Sequence, residues 1–338
     1  MSNCKVVLAL SLVKSVLVIL MFIRQHFFLL TFLFLFSTLN AYGMDSNNSS
    51  ISNLKPNESL DYQDAFIYGI VEGVTEFLPI SSTGHLIIVS KLLSNSENGS
   101  EEAINAYLIV IQAGAILAVA LLYRKKVFSM FLGILGLDPK GKRLAFLVLL
   151  AFLPAAILGP LLDHKIEEFL FGILPVAIAL FTGAILMFWA EKRKKDKDLG
   201  CDFDQGKKVE ELTFYNALFI GFMQCFAMWP GTSRSMMTIV GGYFVGLKRS
   251  QAAEFSFLLG LLTLSAAAGY KILTKWDVMQ SHLSLGPVFF GCLVAGISAA
   301  LSVFWLVGYL SRKGLGLFVL YRMILSVILL GVYFHSIS

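Results

Sequence analysis

The sequence runs to 338 residues, of which 57% are hydrophobic and only 14% charged, with a formal net charge of +5. Soluble globular domains carry roughly 45–50% apolar and about 25% charged residues, so this composition excludes an ordinary soluble fold and a disordered chain alike. The excess positive charge falls in short loops between apolar runs, the mark of cytoplasmic loops rather than of a nucleic-acid surface, and no nucleic-acid partner is expected.

In chain order, residues 1–43 stand apart. Residues 21–43 join a short basic region, a Phe/Leu core and a small-residue end, as a secretory signal does. A further apolar stretch, 6–20, precedes them, so 1–43 read as a signal peptide or an N-terminal anchor, with Met21 an alternative start. Residues 44–60 are polar and read as a periplasmic linker. The four cysteines, Cys4, Cys201, Cys225 and Cys292, have no metal-ligand or redox spacing.

Six apolar runs, at about 105–123, 144–162, 171–189, 254–273, 286–310 and 316–334, have the length of full spans. The loops 124–143 and 190–213 are rich in Lys and Arg, and Lys248/Arg249 and Arg312/Lys313 mark two more basic ends, whereas 163–170 is acidic. The basic loops belong in the cytoplasm. Two segments break the pattern. Residues 65–93 and 214–247 each hold a short apolar helix, a polar stretch containing Pro and Ser, and a second short helix. Loop charge puts both ends of the first outside and both ends of the second inside, so they read as re-entrant pairs from opposite faces. Each runs on into a similar span, Tyr107–Tyr123 and Phe255–Tyr270. The expected fold is an all-α polytopic membrane protein with six transmembrane helices and two re-entrant helix pairs in an inverted-topology repeat. Its halves lie at about 61–190 and 210–338, with a site near the midplane where the broken helices meet.

The chemistry concentrates in those breaks. Glu72 and Glu76 are spaced i, i+4, which puts both carboxylates on one helix face. Their flanks are apolar, and charges at bilayer depth rarely face lipid, so a surface helix is the weaker reading. Pro79 stops the helix. Ser81, Ser82, Thr83 and Gly84 follow as irregular backbone, which survives at that depth only inside protein or along a cavity. His85 then opens a half-helix whose free N–H groups make a ready phosphate site. In the second segment Arg234 stands between Ser233 and Ser235, after Thr232, at another helix start. Arg forks onto phosphate oxygens and keeps its charge when buried; snorkelling to headgroups is the blander alternative. Gln224 reads as a polar cavity residue, and Glu254 as either a site residue or a helix cap. Together these residues point to phosphoryl chemistry. Glu72 and Glu76 are the candidate metal ligands, Ser81, Thr83, Thr232, Ser233, Arg234 and Ser235 the candidate phosphate cradle, and the oxygen ligands favour Mg²⁺ or Ca²⁺.

EGVTEFLPISSTGH at 72–85, WPGTSRS at 229–235 and AAEFSFLL at 252–259 resemble, in order and spacing, the signature regions of the undecaprenyl-diphosphatase family of the bacitracin-resistance type. IQAGAILAV at 111–119 and YRMI at 321–324 are similar to further family stretches. The resemblance covers about 60–334; the N-terminal extension is the departure from it. It implies a multi-pass phosphatase of the bacterial inner membrane, with its site open to the periplasm, that converts undecaprenyl diphosphate to the monophosphate and so recycles the carrier lipid for peptidoglycan synthesis. The residues 61–338 would form that membrane phosphatase domain. The family's proposed catalytic residues fall on Glu72, Glu76, Ser82, His85 and Arg234. On that reading Arg234 and the metal stabilise phosphoryl charge, and Glu72 and Glu76 hold the metal or one of them acts as base. Ser82 is nucleophile or phosphate ligand, and His85 activates the nucleophile or protonates the leaving group. The polyprenyl diphosphate substrate would keep its tail among the helices and the membrane lipids. The rival reading is a polyprenyl-phosphate flippase, because inverted repeats and broken helices are also transporter architecture. Assembly as a homo-oligomer is left open.

Overall fold

The computed structural model describes residues 62–93, 101–198, 206–274 and 284–335. The expected signal or anchor at 1–43 and the linker at 44–60 lie outside the described residues. Among those residues the regular structure is helical, apart from one isolated bridge between Lys207 and Leu247. In chain order the helices are α1 (Tyr62–Thr75), α2 (Ser82–Leu93), α3 (Glu101–Leu122), α4 (Arg124–Ile134), α5 (Pro139–Leu170) and α6 (Ile173–Asp198). They continue with α7 (Phe214–Cys225), α8 (Arg234–Phe244), α9 (Arg249–Thr274), α10 (Leu285–Lys313) and α11 (Gly316–His335).

Five helices, α5, α6, α9, α10 and α11, are long and apolar enough to cross a membrane. A sixth candidate is α3 with α4, which bend by 84° where they meet. The six apolar runs fall on α3, α5, α6, α9, α10 and α11, and α5, α6, α9 and α10 continue past their runs into basic residues. Residues 124–134 were expected as loop and form helix instead. They lack Gly and Pro until Gly133, and Phe128, Phe131 and Ile134 make one exposed apolar stripe beside Arg124 and Lys125. Local signals set the starts. Asp138 accepts from the Lys140 N–H at 3.0 Å with Pro139 in the first helical position, and Thr213 and Asn216 form a capping box for α7.

The basic ends gather at one end of the bundle. Arg143, at the start of α5, donates to the Leu212 carbonyl just before α7 at 3.0 Å. Lys126 of α4 pairs with Glu254 of α9, so Glu254 is a mid-helix ion-pair partner and not a cap. Arg249 read as a basic membrane end, yet it is fully buried; it donates to Glu191 of α6 at 3.0 Å, and the other Glu191 oxygen accepts from the Leu315 N–H at 3.0 Å.

The two interrupted pairs, α1/α2 and α7/α8, are packed crosswise. The helix α1 lies against α10, and α7 lies against α5. Small residues allow both approaches. A Cβ on Gly73 would overlap the Ala295 carbonyl of α10, and one on Gly221 would overlap the Ala151 carbonyl of α5. Backbones this close gain van der Waals contact that larger side chains prevent, the usual driving force where no water remains to be expelled. Large apolar side chains such as Leu161, Leu273, Phe289 and Phe304 stay exposed on the long helices, as lipid-facing positions do.

Gly73→Val should therefore lower the unfolding free energy of the purified protein in detergent by at least about 1–3 kcal/mol, the usual cost of forcing extra carbons into a packed contact. Thermal unfolding measures it, and an unchanged midpoint would contradict this packing.

Candidate active site

Both breaks end on a serine in the left-handed region, Ser81 at φ 72° and Ser233 at φ 74°. That conformation is uncommon for a residue with a side chain and is held by surrounding bonds. Each serine caps the helix it precedes: Ser81 Oγ accepts from the Gly84 N–H at 3.3 Å, and Ser233 Oγ from the Met236 N–H at 3.4 Å. The following N–H groups at the starts of α2 and α8 are left without intrahelical partners.

The breaks are stitched together. Ser235 Oγ donates to the Leu78 carbonyl at 2.8 Å, and Ser233 Oγ lies 3.0 Å from Ser235 Oγ. Two helix N-termini, each carrying a partial positive charge, thus come to one place, an arrangement suited to an anion. Glu76 joins the breaks a second time. Its Oε1 accepts from Arg234 Nη2 at 3.2 Å and its Oε2 from Ser82 Oγ at 2.8 Å. Arg234 also donates through Nη1 to the Ser256 carbonyl at 3.1 Å, and its guanidinium stands 5.3 Å from the Phe77 ring centre. Its Nε is buried without an acceptor. Glu72, one turn before Glu76, is buried.

Neither nitrogen of His85 is hydrogen bonded to the Ser82 hydroxyl, which donates to Glu76. Nδ1 lies 2.6 Å from the Ser81 carbonyl and Nε2 lies 2.6 Å from the Tyr321 hydroxyl of α11. A carbonyl only accepts, so in the neutral ring Nδ1 carries the proton and Nε2 accepts from Tyr321. The two rings stack at 5.6 Å and 7°.

The structure thus brings Glu72, Glu76, Ser81, Ser82, His85, Ser233, Arg234 and Ser235 to the paired breaks. Thr232 Oγ1 is used within its own turn, donating to the Trp229 carbonyl at 2.6 Å. The Thr83 side chain makes no hydrogen bond to another described residue. Two supports escaped the sequence reading. Tyr321 holds His85, and Arg322, fully buried, donates through Nη2 to the carbonyls of Gly231 and Ala179 at 3.1 and 3.2 Å. The signal for Arg322 was present: a cation in mid-span is costly and seldom idle.

The chain matches a known family over most of its length. The family model described as "Bacitracin resistance protein BacA" matches residues 65–328. Undecaprenyl-diphosphatase 3 of Acinetobacter baylyi is 43% identical over 270 residues, covering 79% of this chain and 96% of that protein. Undecaprenyl-diphosphatase 2 of Rhodospirillum rubrum is 42% identical over 267 residues, covering 79% and 93%. The undecaprenyl-diphosphatase of Sorangium cellulosum is 43% identical over 275 residues, covering 79% and 85%.

The His85 arrangement predicts a ring protonated at Nδ1 by ¹⁵N spectroscopy, and Tyr321→Phe should cost about 1 kcal/mol of stability, the net worth of one neutral hydrogen bond. A ring protonated at Nε2 in the wild type would contradict the arrangement.

Proposed function

The chain belongs to the bacitracin resistance protein BacA family, and on that premise we infer that it hydrolyses undecaprenyl diphosphate to undecaprenyl phosphate and inorganic phosphate. It is a multi-pass membrane phosphatase, and its product is the lipid carrier that cell-wall synthesis uses again. Bacitracin resistance follows from the family.

The observation that carries the mechanism is the Ser82–Glu76–Arg234 chain. Glu76 is aligned to take the Ser82 proton as Ser82 Oγ bonds to the terminal phosphorus. The bond from that phosphorus to the bridging oxygen breaks, Glu76 gives its proton to the departing lipid phosphate, and the phosphoryl group stays on Ser82. Water then attacks the phosphorus. Its proton passes through Glu76 to Ser82 Oγ, and orthophosphate leaves. Arg234 and the N–H groups at the starts of α2 and α8 neutralise the phosphoryl oxygens, the largest contribution in such chemistry. His85 holds the Ser81 carbonyl and so fixes the turn that presents Ser82.

A divalent cation, Mg²⁺ or Ca²⁺, suits this donor set. Such ions take hard oxygen ligands, and Mg²⁺ commonly binds through one or two carboxylates plus substrate phosphate. Glu72 and Glu76 are those carboxylates. Among the described residues no group of three or more His, Cys, Asp or Glu gathers to hold an ion, at this site or another, so the substrate phosphate would have to complete the coordination. When bound, the ion would add charge neutralisation at the phosphoryl oxygens.

We read the architecture as six spans and two re-entrant pairs in an inverted repeat. The crosswise packing of α1 on α10 and α7 on α5 supports it, as do the matching left-handed serines. The shared basic end belongs in the cytoplasm, so the α1/α2 pair and the lipid headgroup would come in from the periplasm.

Purified protein should release phosphate from undecaprenyl diphosphate, and EDTA should suppress the release. Glu76→Gln and Arg234→Lys should each lower kcat by about 100-fold or more, the scale for losing a group that meets transition-state charge. Folded wild type that binds the lipid and releases no phosphate would favour the flippase.

A further inference from the structure

Gln224 lies in the last turn of α7 and is 2% exposed. Its Oε1 accepts from Thr263 Oγ1 of α9 at 3.2 Å, while Nε2 is buried with no acceptor. Leaving a buried donor unmet is costly, and a site tolerates it where a ligand meets it. Arg234 Nε is in the same condition.

Helix α9 fixes the relation between these two donors. Arg234 bonds to the Ser256 carbonyl, and its guanidinium lies so close to Gly260 that a Cβ there would come within 2.6 Å of Cζ. Thr263, which holds Gln224, is the next residue on that face, because Ser256, Gly260 and Thr263 follow the i, i+4, i+7 spacing. Gln224 is therefore displaced from Arg234 by about one helical turn, ~5 Å along α9. Arg234 is bonded to Glu76 beside Ser82, at the reacting phosphorus. A donor one turn away is suitably placed for the neighbouring phosphate.

The residue type fits as well. Gln224 precedes Ser233 by the same spacing as Glu72 precedes Ser81. The first break carries an acid at this position and the second an amide. A carboxylate at the second position would repel a diphosphate, whereas an amide N–H attracts it.

We propose that Gln224 binds the substrate diphosphate, its Nε2 donating to a non-bridging oxygen of the phosphate that remains on the lipid. This rests on reading the site as a diphosphate hydrolase. The Thr263 hydroxyl also reaches the Leu259 carbonyl at 2.8 Å, so its single proton is contested and the amide orientation is part of the claim.

The test compares full-length wild type, Gln224→Met, which removes the donor without adding charge, and Gln224→Glu, which keeps an acceptor and adds charge. Binding of methylenediphosphonate and of orthophosphate to each is measured by calorimetry in detergent, with thermal unfolding as the check on folding. Diphosphonate should bind about 10-fold more weakly to Gln224→Met, as expected for losing one hydrogen bond to a charged group, and more weakly still to Gln224→Glu. Orthophosphate, held at Arg234, should change less than about twofold in Gln224→Met. Equal losses for both ligands, no loss for the diphosphonate, or no diphosphonate binding by wild type would overturn the proposal. Phosphate release from undecaprenyl diphosphate by wild type is measured alongside. Diphosphonate binding that depends on Gln224, without any release, would retire the hydrolase reading and leave Gln224 as a headgroup ligand.

Discussion

A guanidinium and a carboxylate meeting in a nearly water-free interior set the terms for this structure. Arg234 and Glu76 belong to different broken helices, and their side chains are only 10% and 7% exposed. Each charge alone would cost several kcal/mol to bury, so neither break can hold its position without the other. Glu76 uses one oxygen on Arg234 and the other on Ser82, so the carboxylate that joins the halves also orients the Ser82 hydroxyl. The three side chains that join the breaks are in this way also the ones to which the proposed chemistry is assigned.

The breaks themselves demand the rest of the architecture. Unpaired backbone away from water must be enclosed by protein, and here the first helix of each interrupted pair packs against a long helix from the other half of the chain. Glycines make that contact close enough to exclude lipid. The helix α11 then braces both breaks with consecutive residues. Tyr321 fixes His85, and so the Ser81 turn, while Arg322 grips the carbonyl of Gly231, ahead of the Ser233 turn. The result is two left-handed serines at one place, a strained geometry that presents two helix starts to one anion.

Much of this was legible in the chain. Long apolar runs report spans directly, because the bilayer leaves little else possible. Glu72, Glu76 and Arg234 stood out because charge inside apolar sequence is expensive and so informative. The first break was visible through Pro79, which cannot continue a helix, and the second through the polar WPGTSRS stretch between two short apolar runs. What stayed hidden depends on contacts between distant segments. Nothing local to His85 says that Tyr321 will take its second nitrogen, although the histidine read as a group that activates the nucleophile or protonates the leaving group. Nothing local to Arg249 says that Glu191 will bury it, and so it read as a charge at the membrane edge. The 124–134 helix was missed for another reason: a run of basic residues suggested a loop, although its apolar spacing was helical.

The most direct measurement is a double-mutant cycle on unfolding free energy with Glu76→Gln, Arg234→Gln and the double variant in detergent. Removing one partner of a buried pair costs about 3–5 kcal/mol, because the other charge is left unmet. Removing both should therefore cost clearly less than the two single losses added together. Losses that add to within about 0.5 kcal/mol would mean that the two groups do not interact, and the account of one site built across two breaks would be wrong.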